Sequence, residues 1–435
     1  MTNYRPWKIL NVRLEEPLPG LDFISGIDGL YVVFWYHQVA LGHARVPAEQ
    51  LPLPAPALAN IAIKAVAPAV GDHLFKYGFK ALLPEVPKQA MPDPPPDLAD
   101  LVALSQPLQS VRKRLAHEPE GSGEALTVSV AVCTRERPDS LRRCLASLME
   151  LGEKPFEILV VDNAPATDAT RVVVAEFIGV RYLQESRIGL DNARNAALAN
   201  GSGDIIAFTD DDVVVHPDWI RGIRRGFTDP KVLAITGLVL PAELETESQM
   251  IFEIFWSFNR GYRARVYGEE FMAATARIGA PVTEIGAGAN MAFRREVREL
   301  VGEFDVRLDV GAAGCNGDSE YWYRILAEGW RCRYEPTAIV HHHHRREMES
   351  LNRQLFFYMR GYAASLLVQH ERYGHVGNLR RLRRTIMGLS RRIGLRLRGR
   401  TRPRQQTLTL EILGCLDGVK YFLMNRQPRN SDPHE

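Results

Sequence analysis

From Val128 to Asp210 short apolar runs alternate with segments of helical spacing, and this alternation restricts the fold more than any other feature. VSVAVC (128–133), EILVVD (157–162), VRYLQ (180–184) and DIIAFTD (204–210) have strand character. RPDSLRRCLASLMEL (137–151), TDATRVVVAEF (167–177) and the Ala-rich GLDNARNAALANG (189–201) have helical spacing. Pro138 stands near the start of the first helix, with Asp139 or Ser140 as its cap, and Gly201 closes the third. Strands that are apolar throughout, rather than alternating, belong in a parallel sheet covered on both faces. The expected class is therefore α/β, a mostly parallel sheet flanked by helices, with ligands bound beyond the carboxyl ends of the strands.

Three of those strand ends carry chemistry. The first runs into Cys133-Thr134-Arg135-Glu136-Arg137, the second into Asp162-Asn163, and the fourth into Asp210-Asp211-Asp212. Adjacent carboxylates repel, so three together ask for a cation or a solvated loop. Taken alone, the triplet reads equally well as such a loop, with Asp212 or Asp218 starting the next helix. Aligned with Glu136 and Asp162 on one sheet edge, the acids suit a hard divalent cation, and Arg135 and Arg137 suit a phosphorylated ligand.

CTRERPDSLRRCLASL, EILVVDNAPATD, GLDNARNAALANGSGDIIAFTDDDVVVHPDW and GDSEYWYRILAEGW, in that order, resemble the family 2 glycosyltransferases of GT-A fold over about residues 126–345. The resemblance implies inverting transfer of a sugar from a nucleotide-diphosphate donor (a UDP-, GDP- or dTDP-sugar) with Mg²⁺ or Mn²⁺. The setting it implies is bacterial polysaccharide or glycoconjugate synthesis, on a carbohydrate or lipid-linked acceptor. It also implies roles. Asp162 matches the acid that contacts the nucleoside. Thr134, Arg135 and Glu136 lie where the first strand end meets base and ribose. Arg194 matches a helix residue near the diphosphate. Asp210 and Asp212 are the outer positions of a DxD metal motif, with Asp210 shared with the ribose and Asp212 the direct ligand. Asp211, the middle position, joins the donor contacts but is the one expected to tolerate change.

The general base of an inverting displacement must be a carboxylate that takes the acceptor's hydroxyl proton. Asp318 in GDSEYWYR is the candidate, with Glu320 as fallback; the competing reading makes Asp318 only a helix cap. Where the family usually has Glu before this Asp, the chain has Gly317. Gly288, Ala289 and Asn290 in GAGANMAFRREV, and Trp322, are candidate sugar or acceptor contacts. YEPTAIVHHHHRR (334–346) reads as a strand running into four histidines. Strand side chains alternate, so at most two can face one site. His342 is the expected metal ligand, with His341 and His344 as alternates.

The remaining sequence is less specific. The 435 residues suggest several domains: a β-rich unit over 1–83, a Pro-rich linker over 84–125, the catalytic domain over 126–345, and a helical, Arg-rich region over 346–435. GLYVVFWYHQVALGHARVP (29–47) has the pattern of a hairpin. Five cysteines without a CxxC pair argue against a disulfide frame or zinc knuckle and for a reducing, cytoplasmic setting. Eleven arginines and no acid lie between Arg380 and Arg404; without them the 54 basic residues fall to 43 against 52 acids. Leu379, Leu382, Ile386, Leu389 and Ile393 form a stripe among them, so residues 379–404 read as contact with an anionic membrane surface, such as the inner face. The lack of interleaved aromatics disfavours nucleic acid. Two rivals remain: a nucleotidyltransferase, which would want a Gly-rich loop after the first strand where CTRERPDS has none, and a degenerate transferase domain acting as a scaffold.

Overall fold

The computed structural model describes residues 4–75, 108, 126–397 and 407–426. It divides into a smaller unit, Met1–Ala125 with Glu243–Glu245 and Gly261–Arg263, and a larger unit holding the rest. The expected linker over 84–125 lies outside the described residues apart from Leu108.

In the smaller unit β1 (Trp7–Arg13) pairs parallel with β2 (Gly29–Tyr36), and β2 pairs antiparallel with β3 (Val39–Pro47), the expected hairpin. A helix absent from the sequence reading, α1 (Ala55–Phe75), covers this sheet. It starts inside the Pro-rich LPLPAPA, where proline is tolerated because first-turn N–H groups have no helical partner. Gly42 lets β3 approach it: a Cβ there would lie 2.4 Å from the Ala65 carbonyl. Leu30, Val32, Phe34, Val46, Leu58 and Ala62 form the core.

The larger unit has nine strands: β4 (Val128–Thr134), β5 (Glu157–Asn163), β6 (Val180–Glu185), β7 (Ile205–Asp210), β8 (Val213–Val215), β9 (Val232–Pro241), β10 (Arg265–Tyr267), β11 (Asn290–Arg294) and β12 (Arg331–His342). Its helices are α2 (Pro138–Met149), α3 (Ala169–Ala175), α4 (Leu190–Asn200), α5 (Trp219–Gly226), α6 (Glu247–Phe255), α7 (Glu269–Thr275), α8 (Val297–Val301), α9 (Gly317–Ala327), α10 (Met348–Tyr373), α11 (Val376–Leu397) and α12 (Leu408–Met424). The strand order is β10-β12-β9-β11-β7-β4-β5-β6, with β8 paired to β12. Val130, Val132 and Ala207 face one buried core, and Ala131, Ile206 and Phe208 the other, which is why these strands lack polar alternation.

The block β7-β4-β5-β6 is parallel, as expected. The other half is mixed, so "mostly parallel" holds only for the first half: β11 runs antiparallel to both β7 and β9. Asn290 pairs with Thr209, so β11 begins where β7 ends and must run back through the sheet. The chain moves outward from β4 to β5 and β6, then returns to β4's other side as β7. The crevice beside β4 is thus a topological switch point.

α10, α11 and α12 pack together. Leu382 and Leu389 of α11 are buried with Met359, Leu366, Leu408 and Cys415, and Ile386 and Ile393 pack against them. The stripe read as a membrane-facing surface is therefore occupied inside the protein. No helix among the described residues is long and apolar enough to cross a membrane.

Candidate active site

Strand register assembles the first cluster. In the β4–β7 ladder Cys133 faces Asp210, and in the β4–β5 ladder Thr134 faces Asp162. Asp212 immediately precedes β8, whose Val213 pairs with His342, and the His343 N–H donates to the Asp212 carbonyl at 3.0 Å. This brings Asp210, Asp212 and His342 together, with one ligand atom of each within 4.8 Å of the others. His342 Nε2 lies 3.3 Å from Asp212 Oδ1. Two carboxylates and an imidazole fit a Mg²⁺- or Mn²⁺-type ion. Asp218 stands at the N-cap position of α5, so neither Asp212 nor its neighbours start that helix.

Charge within the triplet is uneven. Asp211, read as the tolerant middle residue, is buried; it accepts the Thr134 hydroxyl at 2.7 Å and a bond from Arg137, whose other arm reaches Asp212 Oδ2 at 2.9 Å. It is therefore the tie between β7 and the β4 loop, and tolerance is not expected. Burial pushes Asp211 up to about 7 and Asp210 up to about 6, the latter with help from Asp212's charge. For Asp212 burial is outweighed by His342 and Arg137, which hold its carboxyl well below the usual range. Behind His342 a relay continues: its Nδ1 is 3.0 Å from His344 Nδ1, and His344 Nε2 is 3.2 Å from Glu253. Such outer partners orient a ligating imidazole. His344 lies just beyond the end of β12 and still packs against His342.

A second cluster comes from three separate elements. The buried Arg194 of α4 bonds Asp191 at 3.0 Å and Asp309, from the loop before α9. Asp318 lies beside it, and these charges hold the guanidinium firmly protonated despite burial. Gly288 passes between: a Cβ there would meet Arg194 at 2.8 Å and Asp318 at 3.0 Å. The Asp318 carboxylate accepts the N–H of Ser319 at 2.6 Å and that of Gly288. Asn316 is the N-cap of α9, so Asp318 is not the cap; burial raises its pKa and makes the carboxylate a better proton acceptor. Gly317 is explained by Asp191, whose Oδ2 would lie 2.1 Å from a Cβ there.

Both clusters line one cavity of about 1770 Å³. Thr134, Arg135, Arg194, Asp210, Asp211, Asp212, Gly288, Ala289, Asp318 and His342 all border it. The structure corrects four other assignments. Asn290 does not border the cavity: its amide donates to Leu238 and Ala338 carbonyls and accepts from Trp219, bracing three strands and α5. Trp322 is fully buried in the core on the α9 side. Glu320 is buried in an ion pair with Arg324. Glu136 does not line the cavity but accepts the Ala166 and Thr167 N–H groups, fixing the loop after β5. Asp162 is buried at its strand end, accepts the Tyr182 hydroxyl at 2.9 Å, and leaves Oδ1 without a partner; burial raises its pKa. The sequence reading passed over Asp191, Asp309 and the His344–Glu253 pair. Asp191 stood three residues before Arg194, a helical pairing distance that signalled it.

Comparison with known proteins bears on the first half of this unit. The chain is similar to the pre-mycofactocin glycosyltransferase of Mycobacterium tuberculosis, 29% identical over 264 residues, which covers 59% of this chain and 51% of the relative. It is also similar to the glucosyl-dolichyl phosphate glucuronosyltransferase of Haloferax volcanii, 26% identical over 233 residues, 50% of this chain and 69% of that protein. The chain spans about half the length of the first of these. Among solved structures, glucosyl-3-phosphoglycerate synthase from Mycobacterium tuberculosis in complex with Mn²⁺, UDP and phosphoglyceric acid is 18% identical with a TM-score of 0.39, covering 58% of this chain and 84% of that one. Residues 129–301 match the family model described as Glycosyl transferase family 2, and it is this stretch that is a domain of that family.

Proposed function

We propose that this chain is a metal-dependent, inverting glycosyltransferase that moves a sugar from a nucleoside-diphosphate donor to an acceptor hydroxyl in bacterial glycoconjugate or polysaccharide synthesis. The supporting observation is that Asp210, Asp212 and His342 share one cavity with Asp318. Asp210, Asp212 and His342 would hold the cation, which supplies charge neutralisation for a leaving diphosphate. Thr134 and Asp211 set the shape of the β4 end, and Asp162, buried behind that edge and outside the cavity lining, holds the Tyr182 hydroxyl. Arg194 is fixed on the acidic floor through Nη1, which donates to both Asp191 and Asp309. Asp318 takes the acceptor proton as the new bond forms, from a position held by the Gly288 N–H. The nucleotidyltransferase alternative is not favoured, since the turn after β4 carries no glycine-rich phosphate loop. The test is a panel of nucleotide sugars assayed with Mn²⁺ or Mg²⁺ for transfer and for slow hydrolysis. One donor hydrolysed with metal and spared with chelator is the expected result; no nucleotide sugar turned over or bound would remove the reading.

A further inference from the structure

The side of the cavity lined by the C-terminal helices has a different character. Its wall is formed by α10 and α11, and Arg353, Arg381, Arg384 and Arg392 border it. On α11 residues 381, 384, 388 and 392 share one helical face, over about 16 Å of helix at 1.5 Å per residue. Gly388, in the middle of that face, leaves open space: a Cβ there would meet nothing within 4 Å. Arg381 is anchored by bonds to the Tyr362 hydroxyl at 3.1 Å and the Gly279 carbonyl at 3.0 Å, which leave its third nitrogen open. Arg353 stacks on Phe357, 5.9 Å from its ring centroid, and Phe357 also borders the cavity. None of the four has an acid partner among the described residues. The acid on this wall, Glu411, accepts the Thr407 hydroxyl.

The arginines nearer the sheet are committed differently. Arg137 is tied to Asp211 and Asp212, and Arg194 to Asp191 and Asp309. A donor diphosphate is already answered by the cation site. A neutral carbohydrate acceptor would need no cations, and four on one concave wall repel each other unless an anion lies among them. Guanidinium groups suit phosphate oxygens because their N–H forks match them in pairs. We infer that the α10–α11 wall binds a phosphate group carried by the acceptor, so that the substrate class is a phosphorylated or phosphate-headed glycan acceptor. The term acceptor rests on the glycosyl-transfer reading; the phosphate site does not.

The experiment uses the full chain without metal, titrated calorimetrically with inorganic pyrophosphate, alongside co-sedimentation with phosphatidylcholine vesicles with and without phosphatidic acid. The Arg384→Glu/Arg392→Glu chain is compared with Arg383→Glu/Arg391→Glu, which makes the same charge change at positions that do not border the cavity. Loss of two charge-assisted contacts is expected to weaken the phosphate probe about a hundredfold in the first chain only. Pyrophosphate binding identifies a soluble phosphate as the source, and phosphatidic-acid-dependent sedimentation a lipid headgroup; either, if lost in the first chain only, supports the site. Equal loss in both chains, or no binding of either probe by the unmodified protein, overturns it. Binding of UDP, GDP or dTDP with Mn²⁺ is followed in parallel. If no nucleotide binds but the arginine-dependent phosphate site stands, the transferase reading has failed and the phosphate site has not.

Discussion

Two regions of the cavity use the same parts in different ways. Asp210, Asp211 and Asp212 are consecutive, and Arg137 binds two of them. Asp191, Asp309 and Asp318 come from a helix, a loop and another helix, and Arg194 binds two of them. In each region one carboxylate is left without an arginine bond: Asp210 beside the metal position and Asp318 under Gly288. Three clustered carboxylates of low exposure need cationic partners, and although Arg345 adds a contact to Asp212 at 3.7 Å, the arginines leave one carboxylate in each region unanswered. On the proposed reading, the remaining negative charge serves a metal in one site and a proton in the other. One cluster is local in sequence and the other is made entirely by folding.

The widest separation between the two is expected in catalysis. Asp318→Asn is expected to lower kcat by about 10²–10⁴-fold, the ordinary contribution of a general base, while leaving Mn²⁺-dependent nucleotide binding intact. Asp212→Ala is expected to weaken that binding instead. Near-normal turnover in Asp318→Asn would remove the proton role from the second cluster. Removing the cation at its centre is the next largest effect. Arg194→Met keeps the volume but strands buried acids, and is expected to cost roughly 3–5 kcal/mol in urea unfolding.

Gly317→Ala probes the close approach of α9 to Asp191. Overpacking there is expected to cost about 1–3 kcal/mol, with much of it recovered when Asp191→Ala is added. Additive losses in the double variant would show that Asp191 is not what requires the glycine. In the first cluster Asp211→Asn, which weakens the ties to Arg137 and Thr134, is expected to cost about 1–2 kcal/mol. A stability unchanged within error would restore Asp211 to the tolerant position its place in the motif suggested.

The smallest effect distinguishes the clusters by pH. Asp318 works as a carboxylate and burial raises its pKa, so kcat/KM is expected to fall on acidification with a midpoint above the ~3.9 of an ordinary aspartate. Asp210, pushed up to about 6, also loses its charge as pH falls, but a cation competes with that proton. Raising Mn²⁺ is expected to move only the part of the acid limb that belongs to Asp210. A limb at ordinary aspartate values under saturating Mn²⁺ would contradict a buried base.

The sequence by itself determined the parallel half of the sheet. Its strands must be apolar on both faces, and such runs stand out against the helices between them. It determined the acids at the strand ends for the same reason, since parallel strands deliver their carboxyl ends to one edge. It determined that at most two of the four histidines could face one site, because strand periodicity is local. Tertiary structure decided what depends on approach between distant segments. The indole of Trp322, an acceptor candidate by position, is enclosed by the α9-side core, and Asn290 is used up by carbonyls of two other strands. The α11 stripe had the pattern of a membrane face, but α10 and α12 cover it and leave Arg381, Arg384 and Arg392 to the cavity. Gly317 stands where the resemblance has an acid, and Asp191 occupies the space a side chain there would need. Periodicity tells which face of an element is apolar, whereas only packing tells what that face meets.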